Sequence, residues 1–180
     1  MDMSIDKLRK LCIKQPYTHG LGMIRVILPK YTLNFHSDLI PADAKYLHSH
    51  QRNFTSECLF GQVKNIFYTY KHADKPTNYV LEEIQCIAGT ENKTVLTNVE
   101  IILDREEIQN PGDITKHYYN DIHDFECLSK HACTKVFFDE KLDIDAKVIR
   151  DVREDYVCAL SEPRTPDFNW QIIETILNEI

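Results

Sequence analysis

Nowhere in its 180 residues does the chain carry an apolar run near the roughly 20 residues that span a bilayer, so no membrane contact is expected. It also lacks a surplus of positive charge. Its 21 lysines and arginines against 28 aspartates and glutamates leave a formal net charge of -7, which argues against a broad nucleic-acid footprint. Six cysteines are present, but none form a CxxC pair, and Cys127 and Cys133 are too far apart for a zinc knuckle. The opening residues, Met1-Asp2-Met3-Ser4-Ile5-Asp6, hold acids and no apolar core of a secretion signal. A cytoplasmic chain with reduced, mostly buried thiols is therefore expected. Internal repeats and low-complexity stretches are missing too, which leaves out solenoids and fibrous arrays.

What remains has the composition of an ordinary globular chain, 43% hydrophobic and 27% charged, long enough for one domain with its own core. Residues 1–22 read as a short helix and a linker. Ser4 is placed to cap a helix whose apolar residues Ile5, Leu8, Leu11 and Cys12 recur at helical spacing, and Gln15-Pro16 and Gly20-Leu21-Gly22 break it. Residues 23–153 change texture. Short runs rich in Val, Ile, Tyr, Phe and Thr alternate with turn residues, the pattern of an all-β barrel or sandwich. The expected strands are Met23–Leu28, Tyr31–His36, Lys45–His50, Phe54–Phe60, Gln62–Tyr70, Tyr79–Cys86, Val95–Leu103, Asp113–Lys116, His123–Cys127, Cys133–Phe138 and Val148–Val152. Gly61 separates two of these runs almost without a loop and predicts a tight hairpin; Asn110-Pro111-Gly112-Asp113 predicts a second turn. Residues 154–180 form a linker and an amphipathic helix. Asp167 or Asn169 would cap it, and its apolar stripe is Trp170, Ile173, Ile176, Leu177 and Ile180. Such a stripe calls for burial on the barrel or in a homodimer.

Among eight histidines, His19, His36, His72 and His131 have no partner at a useful spacing and read as structural. His48-Ser49-His50 is different. On a strand, residues i and i+2 share a face, so both imidazoles project into one space, and neutral imidazole ligates iron, zinc, copper and nickel well.

The run from His48 through Phe54 to Gly61 resembles the first motif of the cupin superfamily: HxH, three or four residues, an acid, six residues, then glycine. The spacing is kept, and the acid is replaced by Phe54. Pro111-Gly112-Asp113-Ile114 followed by Asn120-Asp121-Ile122-His123 is similar to the second motif, a Pro-Gly-Asp turn, a short strand and a later histidine. The resemblance covers the strand-rich region from Met23 to Phe138. It implies a cupin-type jelly-roll barrel holding one divalent metal on His48, His50 and His123. Two rivals for the shell exist. Glu57 would replace the lost acid only if a bulge reversed its outward parity. His117 competes with His123 but falls on the strand before the turn, where His123 has the better loop placement.

With inward parity, Arg52, Phe54, Ser56 and Cys58 share the interior with the histidines. A guanidinium there suits a carboxylate or phosphate held through two hydrogen bonds. Tyr68 and Tyr70 on the next run are expected to offer hydroxyls to the same space. A three-histidine site without a carboxylate is similar to that of the thiol dioxygenases, which implies iron(II), dioxygen and a small thiol or carboxylate-bearing substrate bound by Arg52. Three neutral ligands leave the ion formally dicationic, with positions open to an anionic thiolate. Zinc, nickel and manganese suit the same ligands. The alternative is a non-redox cupin that binds a small ligand or serves as an interaction module, because fold alone does not set activity.

Overall fold

The computed structural model describes residues 3–40, 47–87, 90–153 and 164–180, with the side chains of 84–87 and 90–96 excepted. The chain runs α1 (Ile5–Leu11), β1 (Tyr17–His19), β2 (Met23–Ile27), β3 (Thr32–Ser37), β4 (Leu47–His48), β5 (Phe54–Phe60), β6 (Val63–His72), β7 (Tyr79–Ile87), β8 (Thr90–Gln109), β9 (Ile114–His117), β10 (Ile122–Cys127), β11 (His131–Phe138), β12 (Ala146–Asp151) and α2 (Pro166–Asn178). The fold is all-β with a helix near each end, as the alternation of apolar residues predicts. Expected residues Lys45 and Tyr46, Cys158 and most of the linker after Arg153 lie outside the described residues. Among the described residues no helix is long and apolar enough to cross a membrane.

The strands form two antiparallel units. One is a six-stranded sheet in the order β1-β2-β3-β11-β5-β9, and the other closes on itself as β10-β4-β12-β7-β8-β6. Strand alternation assigns each side chain to a layer. In β2, Ile24 and Val26 point to one core while Met23 and Arg25 point to a cavity; in β3, Leu33 and Phe35 take the core and Asn34 and His36 the cavity. That core lies under the helices, with Leu8 of α1 and Trp170, Ile173 and Ile176 of α2 packed on Ile24, Val26, Leu33, Phe35 and Cys133. A second core of Leu81, Val99, Ile122 and Ile149 belongs to the closed unit.

Three local expectations are corrected. Gly61 does not make a hairpin, because β5 pairs with β11 and β9 while β6 pairs with β8 and β10. Gly61 (φ 72) instead carries the chain from one unit to the other, passing so close to β11 that an added Cβ would sit 2.2 Å from the His131 carbonyl oxygen. The cap of α2 is Thr165, whose Oγ1 accepts from Phe168 N at 3.3 Å, with Pro166 opening the helix. Asn169 is instead buried, donating to the Pro16 carbonyl (3.0 Å) and accepting from Thr18 Oγ1 (2.7 Å). These bonds tie α2 to β1, a strand too short to stand out in the sequence. The apolar stripe docks as expected, except that Ile180 stays 61% exposed. The Asn110–Asp113 turn forms, with Asp113 N donating to the Asn110 carbonyl at 2.9 Å and Gly112 at φ 92.

Candidate metal centre

The cavity between the two units has a volume of about 300 Å³, the low end of the range for small-molecule sites. His48 on β4 stands directly across from His123 on β10 in the ladder. His50 follows β4 rather than lying in it, yet its parity with His48 survives. Ser49 between them is turned away and pinned to β12, its N donating to the Lys147 carbonyl (2.8 Å) and its Oγ accepting from Lys147 N (2.9 Å). Both imidazoles therefore face the cavity.

The three ring systems converge. Centroids of His48 and His50 are 4.8 Å apart, those of His48 and His123 4.8 Å, and those of His50 and His123 5.0 Å. One nitrogen from each lies within 4.8 Å of the others, and Nε2 of His50 and His123 are 2.8 Å apart. A metal–nitrogen bond of about 2.1 Å places neighbouring ligand nitrogens about 3 Å apart, so the pair is near the separation one ion imposes. Burial, then repulsion from His48, holds His50 and His123 well below the usual imidazole range. Both are neutral at pH 7 and carry the lone pairs that ligation requires. Among the described residues no acid or thiol joins this group. The donor set and its charge state thus fit a divalent transition metal.

Around the triad, Phe54 faces the cavity with its ring 4.7 Å from His50, and Glu57 points outward to Lys135 at 2.7 Å, so no bulge brings a carboxylate in. His117 is brought beside the triad. Its ring is 5.0 Å from His123 and stacked on Phe54 at 4.3 Å, and burial, with Arg105 and His48, lowers its pKa to about 4. Nδ1 of His117 and Nδ1 of His123 are buried without a hydrogen-bond partner among the described residues.

Other expected placements change. Arg52 does not line the cavity, because Gln51 and Arg52 form a bend and strand parity begins only at Phe54; its guanidinium lies 5.3 Å over the Phe138 ring. Cys58 is buried outside the cavity lining, with its thiol pushed up to about 11 by burial. Tyr68 and Tyr70 face away from the triad. On β6 it is Asn65 and Phe67 that turn to the cavity side, with Phe67 paired to His123, while the two tyrosines pack on the second core. Tyr70 accepts from Lys147 Nζ at 2.9 Å.

The guanidinium that does enter is Arg25. It lines the cavity from β2, and its Nε is buried without a hydrogen-bond partner among the described residues. Its charge reaches His19, His36 and His50, lowering all three. Asn34, opposite Arg25 in the β2–β3 ladder, has a buried Oδ1 in the same unpartnered condition. The signal in the sequence is one arginine inside the apolar run Met23-Ile24-Arg25-Val26-Ile27, where a charge on the inner face demands a reason. His36, expected to be structural, also lines the cavity; it stacks on Phe125 at 4.2 Å, and burial followed by Arg25 lowers its pKa to about 3. His131 is structural, joining Ser37 Oγ (2.9 Å) to Glu179 (2.9 Å), the residue that caps the end of α2. No protein-family model matches this chain, and no curated protein matches it.

Proposed function

We propose that this chain is a cupin-type metalloenzyme, a mononuclear non-heme iron dioxygenase acting on a small substrate that bears a carboxylate or a thiol. The observation that carries the reading is the convergence of three imidazoles at a small cavity that also holds a buried guanidinium nitrogen with no hydrogen-bond partner among the described residues. His48, His50 and His123 would hold the ion. When bound, iron(II) supplies open coordination positions and the redox chemistry of dioxygen.

The rest of the work falls to the chain itself. Arg25 takes the role expected of Arg52, orienting an anionic group through its rigid fork of N–H donors. Asn34 offers an acceptor beside it for an N–H or O–H on the same ligand. Phe54, Phe67, Phe138 and Val136 keep water out, which strengthens each of those polar contacts.

The test is metal analysis of protein purified without added metal, followed by oxygen uptake with a panel of small thiols and carboxylates. One equivalent of iron and substrate-dependent uptake are expected. His48→Ala and His123→Ala should each abolish stoichiometric metal binding, and His72→Ala should not. Retained metal in His123→Ala with loss in His117→Ala would replace His123 by His117 in the ligand set. Full metal occupancy without turnover, together with tight binding of a small anion, would favour a non-redox ligand-binding cupin instead.

A further inference from the structure

His117 is the one cavity-side histidine next to the triad that neither the ligand set nor the core accounts for. It sits on β9, where Thr115 and His117 are buried while Ile114 and Lys116 are exposed, and its ladder partner is Phe54. Aromatic contacts clamp the imidazole. Phe54 stacks on it with the rings within 7° of parallel, Phe67 lies 5.5 Å away at 35°, and His123 closes a third side at 5.0 Å. The residue is 1% exposed, and it borders the cavity. An imidazole always carries two polar nitrogens, and burying either without a partner is costly. Nδ1 is sealed without a hydrogen bond among the described residues, which leaves Nε2 as the nitrogen able to meet a cavity ligand. It is also outside the set of histidines whose nitrogens lie close enough to share one ion.

We infer that His117 is an outer-sphere positioning residue, whose imidazole hydrogen-bonds the small molecule occupying the open coordination position on the three-histidine metal. This rests on the metal-site reading above and adds a role which that reading does not need. Phe54 fits the assignment. A carboxylate there would add a ligand to the ion, whereas the Phe54 ring offers no donor and stacks on His117 instead. The chemistry favoured by such an arrangement is a small anionic or polar diatomic or triatomic ligand with a lone pair directed at His117.

Azide on the cobalt(II)-loaded, full-length protein is a suitable probe, because visible absorption reports cobalt uptake and azide binding separately. His117→Phe keeps the stack on Phe54 and removes both nitrogens; His117→Asn restores a donor and an acceptor. Cobalt affinity should stay within a few-fold of wild type in both variants. Azide affinity should fall roughly tenfold or more in His117→Phe, the loss expected for one hydrogen bond to an anion, and recover in part in His117→Asn. Unchanged azide affinity in folded His117→Phe, or no azide binding by cobalt-loaded wild type, would overturn the inference while leaving the metal site standing. Loss of cobalt from both variants would make His117 a ligand instead. If wild-type protein takes up no cobalt, the metal-site reading itself fails, and this inference goes with it.

Discussion

Acidification from pH 7.5 to pH 5 should cost the metal-free protein a large share of its stability, through histidines alone. His36 and His117 are almost fully buried, with pKa values lowered to about 3 and about 4, chiefly by burial. In the unfolded chain both return to about 6.5. Above that value both states are neutral and no penalty exists. Below it the unfolded chain binds protons that the folded chain refuses, so stability falls with falling pH until the folded pKa values are reached. At pH 5 each group contributes about 2 kcal/mol of loss, about 4 kcal/mol for the pair. His50 and His123 act in the same direction. With a typical total of about 5–15 kcal/mol and a urea m-value of about 2 kcal/mol/M, the midpoint should drop by about 2 M or more. Urea unfolding followed by circular dichroism, in chelator, at both pH values measures this. His36→Gln should remove about 2 kcal/mol of the dependence. The carboxylates held low, Asp151 and Glu179, lose their stabilising effect only in more acidic solution, so they do not confuse this window. A midpoint that does not move between pH 7.5 and pH 5 would refute the burial argument.

Gly61→Ala should destabilise by about 3 kcal/mol or more, since it adds a left-handed backbone penalty to a clash with β11. Gly112→Ala has the same backbone penalty but open space, and should cost only about 1 kcal/mol by the same denaturation assay. Ile173→Ala, at a fully buried position under the sheet, should lower stability by about 2–5 kcal/mol, readable as a fall in Tm of the whole domain rather than of α2 alone. Phe54→Glu should tighten divalent-metal binding by restoring a carboxylate beside His50, and should lower the Tm of the metal-free protein by burying that charge unpaired. Calorimetric metal titration and a melting curve on the same sample would show whether the two effects part as expected.

Strand positions and the cavity-facing histidine pair were legible in the sequence because both depend on local geometry. Alternation with period two set the inward face of β5, and it kept Glu57 outside and Phe54 inside without reference to any neighbour. The same rule put His48 and His50 on one side, and Ser49 anchored to β12 preserves it past the end of the strand. What the tertiary structure alone decided was which faces meet. Tyr68 and Phe67 are adjacent in sequence and differ only in the side they turn to, yet one sits in the second core and the other beside His123, because β6 belongs to the closed unit with β10 and β8. Gly61 looked like a hairpin because a short gap and a positive-φ residue serve a crossover equally well. Arg52 and Arg25 exchanged places for a related reason. A bend removed Arg52 from the strand, while Arg25, some twenty residues before the HxH motif, reaches the cavity only because β2 and β3 lie against β11 and β5 in one sheet. Periodicity acts over neighbouring residues and is written in the chain; the meeting of distant faces depends on sheet pairing, which no local pattern of side chains encodes.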